Sequence, residues 1–84
     1  MKKVVATVTS GECNQGFHKV GDSFTIGELT PAGMCTSAFD AIFPLVFALQ
    51  CGGEFFWEKD RHVTCASCPD DSGLIFEIKI ADET

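Results

Sequence analysis

Five cysteines and two histidines are the side chains of this 84-residue chain with the most chemistry to offer, and their spacing limits what that chemistry can be. Cys65-Ala66-Ser67-Cys68 has the two-residue gap that lets two sulfurs face one point, as in half of a zinc site or in a dithiol redox pair. In an extended segment Cys65 and Cys68 would instead point to opposite faces, and only a turn near Pro69 would bring them together. The other half of a metal site could come from Cys13 and His18, which share one loop with Gly16 between them. Four ligands of this soft and borderline type, Cys13, His18, Cys65 and Cys68, suit zinc or ferrous iron. Against this stand the unusual Cys13-x4-His18 spacing and the frequent use of free cysteine as a small buried hydrophobe. A dithiol redox pair also wants its first cysteine at a helix N-terminus, and no helix follows Cys65.

Cys35 offers a different chemistry. It precedes the expected start of a helix, where unsatisfied N–H groups and the helix dipole favour negative charge, so its thiolate could act as a nucleophile with His18 orienting it or serving as base. The structural alternative is that Met34 and Cys35 pack on the first helical turn while His18 is merely hydrogen-bonded or solvated. His62, beside Arg61 in a charged turn, reads as exposed. Trp57 with Phe55 and Phe56 could floor a pocket, although so much apolar area suits core or interface packing better. Asp70-Asp71-Ser72-Gly73 lacks the ligand spacing of a calcium loop, and no P-loop, dinucleotide fingerprint or nucleophile elbow occurs.

Composition narrows the setting. The net charge is -6, and Lys2, Lys3, Lys19, Lys59, Arg61 and Lys79 are scattered rather than gathered in a stripe, which disfavours nucleic acid as a partner. Lys2 and Lys3 precede only a short apolar run, residues 4–8, broken by Thr7, so no export signal is read there. The longest apolar stretch, residues 38–49, contains Asp40 and Pro44 and falls short of the ~20 residues of a membrane span. A cytoplasmic protein with reduced thiols is expected, since an odd number of cysteines cannot pair completely within one chain.

The elements that must position these groups follow from periodicity. Residues 2–9 alternate as a strand, residues 10–21 form a loop holding Cys13, Gly16 and His18, and Ser23–Ile26 forms a second strand after the Gly21-Asp22 turn. A helix is expected from Ser37 as N-cap, with Asp40 in its first turn, to about Cys51, where Gly52-Gly53 ends it. Ala38, Ala41, Ile42, Leu45, Val46 and Leu49 share the face toward the sheet; Thr36, Asp40, Gln50, Phe43 and Phe47 occupy the other. Pro44 removes a hydrogen bond to the Asp40 carbonyl and should bend or divide the helix. Residues 63–66 and 74–80 read as two further strands, with a hairpin turn at residues 70–73. The expectation is one α+β domain over residues 1–84, in ββαββ order, with a single apolar, kinked helix on a mainly antiparallel, twisted sheet.

In order along the chain, Cys13, Gly16, His18-Lys19-Val20-Gly21-Asp22-Ser23-Phe24, Gly33-Met34-Cys35 leading into Ala38-Phe39, Gly52-Gly53, Trp57-Glu58 and Cys68-Pro69-Asp70 before Phe76-Glu77 form a pattern that resembles a widespread group of short prokaryotic proteins of uncharacterised function. The resemblance spans residues 13–77 and brings no activity, substrate or cofactor with it. It implies that Cys13, His18, Cys35 and Cys68 belong to the shared pattern, whereas Cys51 and Cys65 are peculiar to this chain.

Three functional readings follow. The first is a small binding or accessory domain with a thiol or metal site built from Cys13, His18 and Cys68, with Cys65 or Cys35 as a fourth group. The second is a thiol enzyme using Cys35 with His18, and the third is a protein-interaction module without chemistry. The third draws on Phe43 and Phe47, four residues apart on the outer helix face, which would forfeit roughly 1.5–3 kcal/mol each in water. Either the loop carrying Phe55, Phe56 and Trp57 covers them in a monomer, the favoured expectation for so small a chain, or a second copy packs there as a homodimer.

Overall fold

The computed structural model describes residues 2–13, 16–68 and 73–81. Its centre is made by the two strands that alternate most regularly. β1 (Val4–Ser10) and β4 (Ile75–Ile80) run antiparallel, with Val8 opposite Phe76, Ala6 opposite Ile78 and Val4 opposite Ile80. β2 (Ser23–Ile26) pairs with the free side of β1 and β3 (Val63–Ser67) with the free side of β4, giving an antiparallel sheet in the order β2-β1-β4-β3. The expected ββαββ order is the one observed. The turn expected at residues 70–73 lies largely outside the described residues, which resume at Gly73.

One face of the sheet is covered by α1 (Thr36–Gln50), which packs chiefly on β4 and β3. Because the helix repeats every 3.6 residues, Ala38, Ile42, Val46 and Leu49 fall on one stripe, and all four are fully buried against Val4, Ala6, Val8, Phe76 and Ile78. Ala41 and Leu45 are only half-buried, at the edges of that stripe. Gln50, placed on the outer face by its polarity, is buried instead. It lies four and eight residues after Val46 and Ile42, and its amide donates to the carbonyls of Ile26 (3.3 Å) and Gly27 (2.7 Å), tying the helix end to the exit of β2.

The helix is not divided at Pro44, which sits inside it. Asp40 and Pro44 are both exposed, so water can satisfy the carbonyl that proline leaves without its amide. At the C-terminus the Gly52 N–H donates to the Leu49 carbonyl (3.0 Å) and the Gly53 N–H to the Ala48 carbonyl (2.8 Å), with Gly52 at φ +85°. This is a Schellman closure, and it needs the left-handed backbone that glycine adopts without strain. Gly52→Ala is therefore expected to lose about 1–2 kcal/mol in urea denaturation. A loss under about 0.3 kcal/mol would show that the helix end is held by other means.

At the N-terminus the structure departs from expectation. The helix begins at Thr36, the N-cap is Cys35 in extended backbone (φ −60°, ψ 137°), and no side chain caps it locally. Ser37 lies within the first turn.

Candidate functional site

The substitute for a local cap comes from the first loop. Residues 19–22 form a turn in which the Asp22 N–H donates to the Lys19 carbonyl (3.0 Å) and the Asp22 carboxylate accepts the Lys19 N–H (3.1 Å). Gly21, at φ +99°, occupies the third position, where such a turn calls for left-handed backbone. Two bonds fasten the turn to β1: Gly21 N–H to the Val8 carbonyl (2.9 Å) and Val8 N–H to the Asp22 carbonyl (2.8 Å).

This anchorage delivers His18 into the interior, 5% exposed, with its ring edge-on to Phe24 (5.1 Å between centroids) and Phe76 (6.3 Å). Nε2 of His18 accepts the backbone N–H of Cys35 at 3.0 Å. One of the orphan amides at the helix start is thus satisfied by a side chain seventeen residues upstream. His18 and Cys35 meet through the main chain of Cys35. The Nε2 lone pair that would take a proton from the thiol already accepts the amide.

The proposed metal ligands are dispersed. β3 stays extended through Ser67, so Thr64 turns inward while Cys65, opposite Glu77, is exposed on the side of the sheet away from the helix. Cys68 is buried in the core, its N–H bonded to the Leu74 carbonyl (2.8 Å). Cys65 and Cys68 therefore lie on opposite faces, and Cys65 is also separated by the sheet from His18. Cys13 and Cys35 are half-buried against the core, and Cys51 is exposed. Among the described residues, no three His, Cys, Asp or Glu side chains stand together in a group that could hold a metal ion. The physical reason is the pleat: a two-residue gap gathers sulfurs only where the chain turns, and here it remains a strand as far as Ser67.

The aromatic loop does not cover the outer face of the helix. Phe55 enters the core, Trp57 donates from Nε1 to the Thr64 hydroxyl (3.3 Å), and that hydroxyl donates to the Glu58 carboxylate (2.6 Å). Trp57 and Phe56 are thereby tied beside β3, both still largely exposed. His62 is exposed as expected, 3.4 Å from the Glu54 carboxylate.

What remains open is a ladder on α1. Phe39, Phe43 and Phe47, spaced by four, stack in succession with ring centroids 5.5 and 5.6 Å apart, the second pair nearly parallel at 27°. Phe43 and Phe47 are 43% and 45% exposed. Beside the ladder runs a shallow groove of about 250 Å³, whose other wall is formed by residues 27–30 and carries Leu29, 84% exposed. In the sequence Phe39 figures only in the resemblance, and Leu29 not at all. The four-residue spacing signals Phe39, whereas a single leucine in a polar connector gives no signal.

The chain matches no family model, no curated protein and no solved structure.

Proposed function

We propose that this domain is a protein-interaction module that docks through the outward face of α1, while Cys13, His18, Cys35 and Cys68 serve the fold. The observation that supports this reading is the stacked Phe39–Phe43–Phe47 ladder open to solvent beside its groove. Leaving Phe43 and Phe47 half in water forfeits about 1 kcal/mol each, a cost that docking would recover. The groove is also poorly suited to a small molecule: its lining is mainly apolar, its polar side chains Glu28 and Thr30 both lie on the exposed wall, and the Gln50 amide is already engaged by the Ile26 and Gly27 carbonyls.

The working compartment is the cytoplasm, where an odd number of cysteines would stay reduced. Among the described residues no helix is long and apolar enough to cross a membrane. Nucleic acid is an unsuitable partner for a chain of net charge -6 without a cationic stripe.

The test is photo-crosslinking from position 47, with a benzoylphenylalanine in place of Phe47, in the cells that make the protein. A crosslinked product of defined mass is expected, absent from a probe at Cys65 on the far face of the sheet and abolished by adding Phe43→Glu. Equal labelling from positions 47 and 65 would overturn the docking face.

A further inference from the structure

Resting on that reading, we infer that the occupant of the groove is a second copy of this chain, packed about a two-fold axis with the two α1 helices antiparallel. Shape gives the first reason. A ridge of Phe39, Phe43 and Phe47 lying parallel to a groove is complementary to itself: a two-fold rotation sets each ridge into the other copy's groove, with Phe43 against Phe47 of the second copy. Charge gives the second. Asp40, near the start of the helix, is the only charged residue in α1, and its side chain is exposed. Lys2 lies at the opposite end, its N–H donating to the Gln50 carbonyl (3.3 Å), and Lys3 borders the surface beside Leu29. Antiparallel packing therefore brings Asp40 of each copy toward the Lys2-Lys3 pair of the other, and parallel packing would bring like charges together. Between those ends the groove is largely apolar, its one charged side chain being Glu28 on the wall that also borders Lys3, and opposite charges at the two ends suit a self-complementary interface.

Area sets the strength. A fifteen-residue helix is about 22 Å long and 10–12 Å wide, so its face alone supplies roughly a third of the ~800 Å² per partner of a standard interface. The wall carrying Leu29 must contribute, and the dimer should be reversible, with a dissociation constant of order 10–100 μM.

Sedimentation velocity from about 5 μM to 0.5 mM tests this, spanning that range. The expected result is a concentration-dependent shift to twice the 9.1 kDa chain mass. Phe47→Glu should abolish the shift with an unchanged circular dichroism melt. Asp40→Lys should weaken association about five-fold or more, and combining it with Lys2→Glu and Lys3→Glu should restore it. A wild type that stays monomeric at the highest concentration overturns the inference, as does a dimer that loses Phe47 dependence or ignores the charge reversals. A position-47 crosslink of a mass other than twice the chain's, with a monomeric wild type, would sink the second copy while leaving the docking face standing. Absence of any site-specific crosslink would remove both.

Discussion

Gly11→Ala is expected to cost the domain about 2–5 kcal/mol, a large share of the 5–10 kcal/mol typical of a chain this size. Two causes add. Gly11 sits at φ +88°, where a side chain costs roughly 1–2 kcal/mol, and its added Cβ would lie 2.4 Å from the carbonyl oxygen of Gly73 and 2.8 Å from the Cα of Leu74. Those are main-chain atoms and cannot rotate aside, so the strand exit or the approach to β4 must shift, at an overpacking cost of about 1–3 kcal/mol. Gly27→Ala is the control. Its backbone is not left-handed and an added Cβ meets open space, so its effect should stay within about 0.5 kcal/mol. Urea denaturation of the two variants measures the difference, and equal midpoints would mean that residues 11 and 73 do not approach as described.

His18→Ala should be comparably damaging, by about 3–5 kcal/mol, because it removes a buried ring packed on Phe24 and Phe76 and also strands the Cys35 amide. His18→Phe separates the two contributions. It keeps an aromatic ring on Phe24 and Phe76 but offers no acceptor, and should cost the stranded amide, about 1–3 kcal/mol, plus whatever the somewhat larger ring adds by overpacking. If the phenylalanine variant is as stable as wild type, the hydrogen bond to Cys35 does not hold the helix start. If it is as unstable as the alanine variant, ring packing is the minor term.

The fate of individual residues shows why some of this architecture could be read from the chain and some could not. The strands and the buried stripe of α1 were legible because alternation and 3.6-residue spacing are local, and Val4, Ala6, Val8, Ile42, Val46 and Leu49 obey them. For Gln50, polarity and periodicity disagree, and periodicity prevails: its spacing from Ile42 and Val46 points inward, where two carbonyls accept its amide. Ser37 was a reasonable cap by residue type, yet the helix start is satisfied by His18, and a bond across seventeen residues leaves no trace in local sequence. The Cys65/Cys68 pair was ambiguous until the length of β3 was known, since one more extended residue decides which way a sulfur points. A cover over Phe43 and Phe47 requires Trp57 to be free to fold back, whereas Thr64 holds it beside β3. The string His18-Lys19-Val20-Gly21-Asp22 acquires a physical meaning as a turn that drives a histidine inward.

The sheet order has a consequence for how the molecule comes into being. β1 is synthesised first among the elements and β4 last, yet they are the central pair, with Val4 aligned to Ile80 across most of the chain. While the chain emerges from a ribosome, β1 can pair only with the four residues of β2, a hairpin too small to be stable in water. The inward-facing apolar side chains of α1 meanwhile lack β4, the strand they chiefly cover. Closing a loop of that length must precede the contacts that reward it, so folding should be slow and should wait for β4, with hydrophobic helix surface exposed to chaperones until that strand is available.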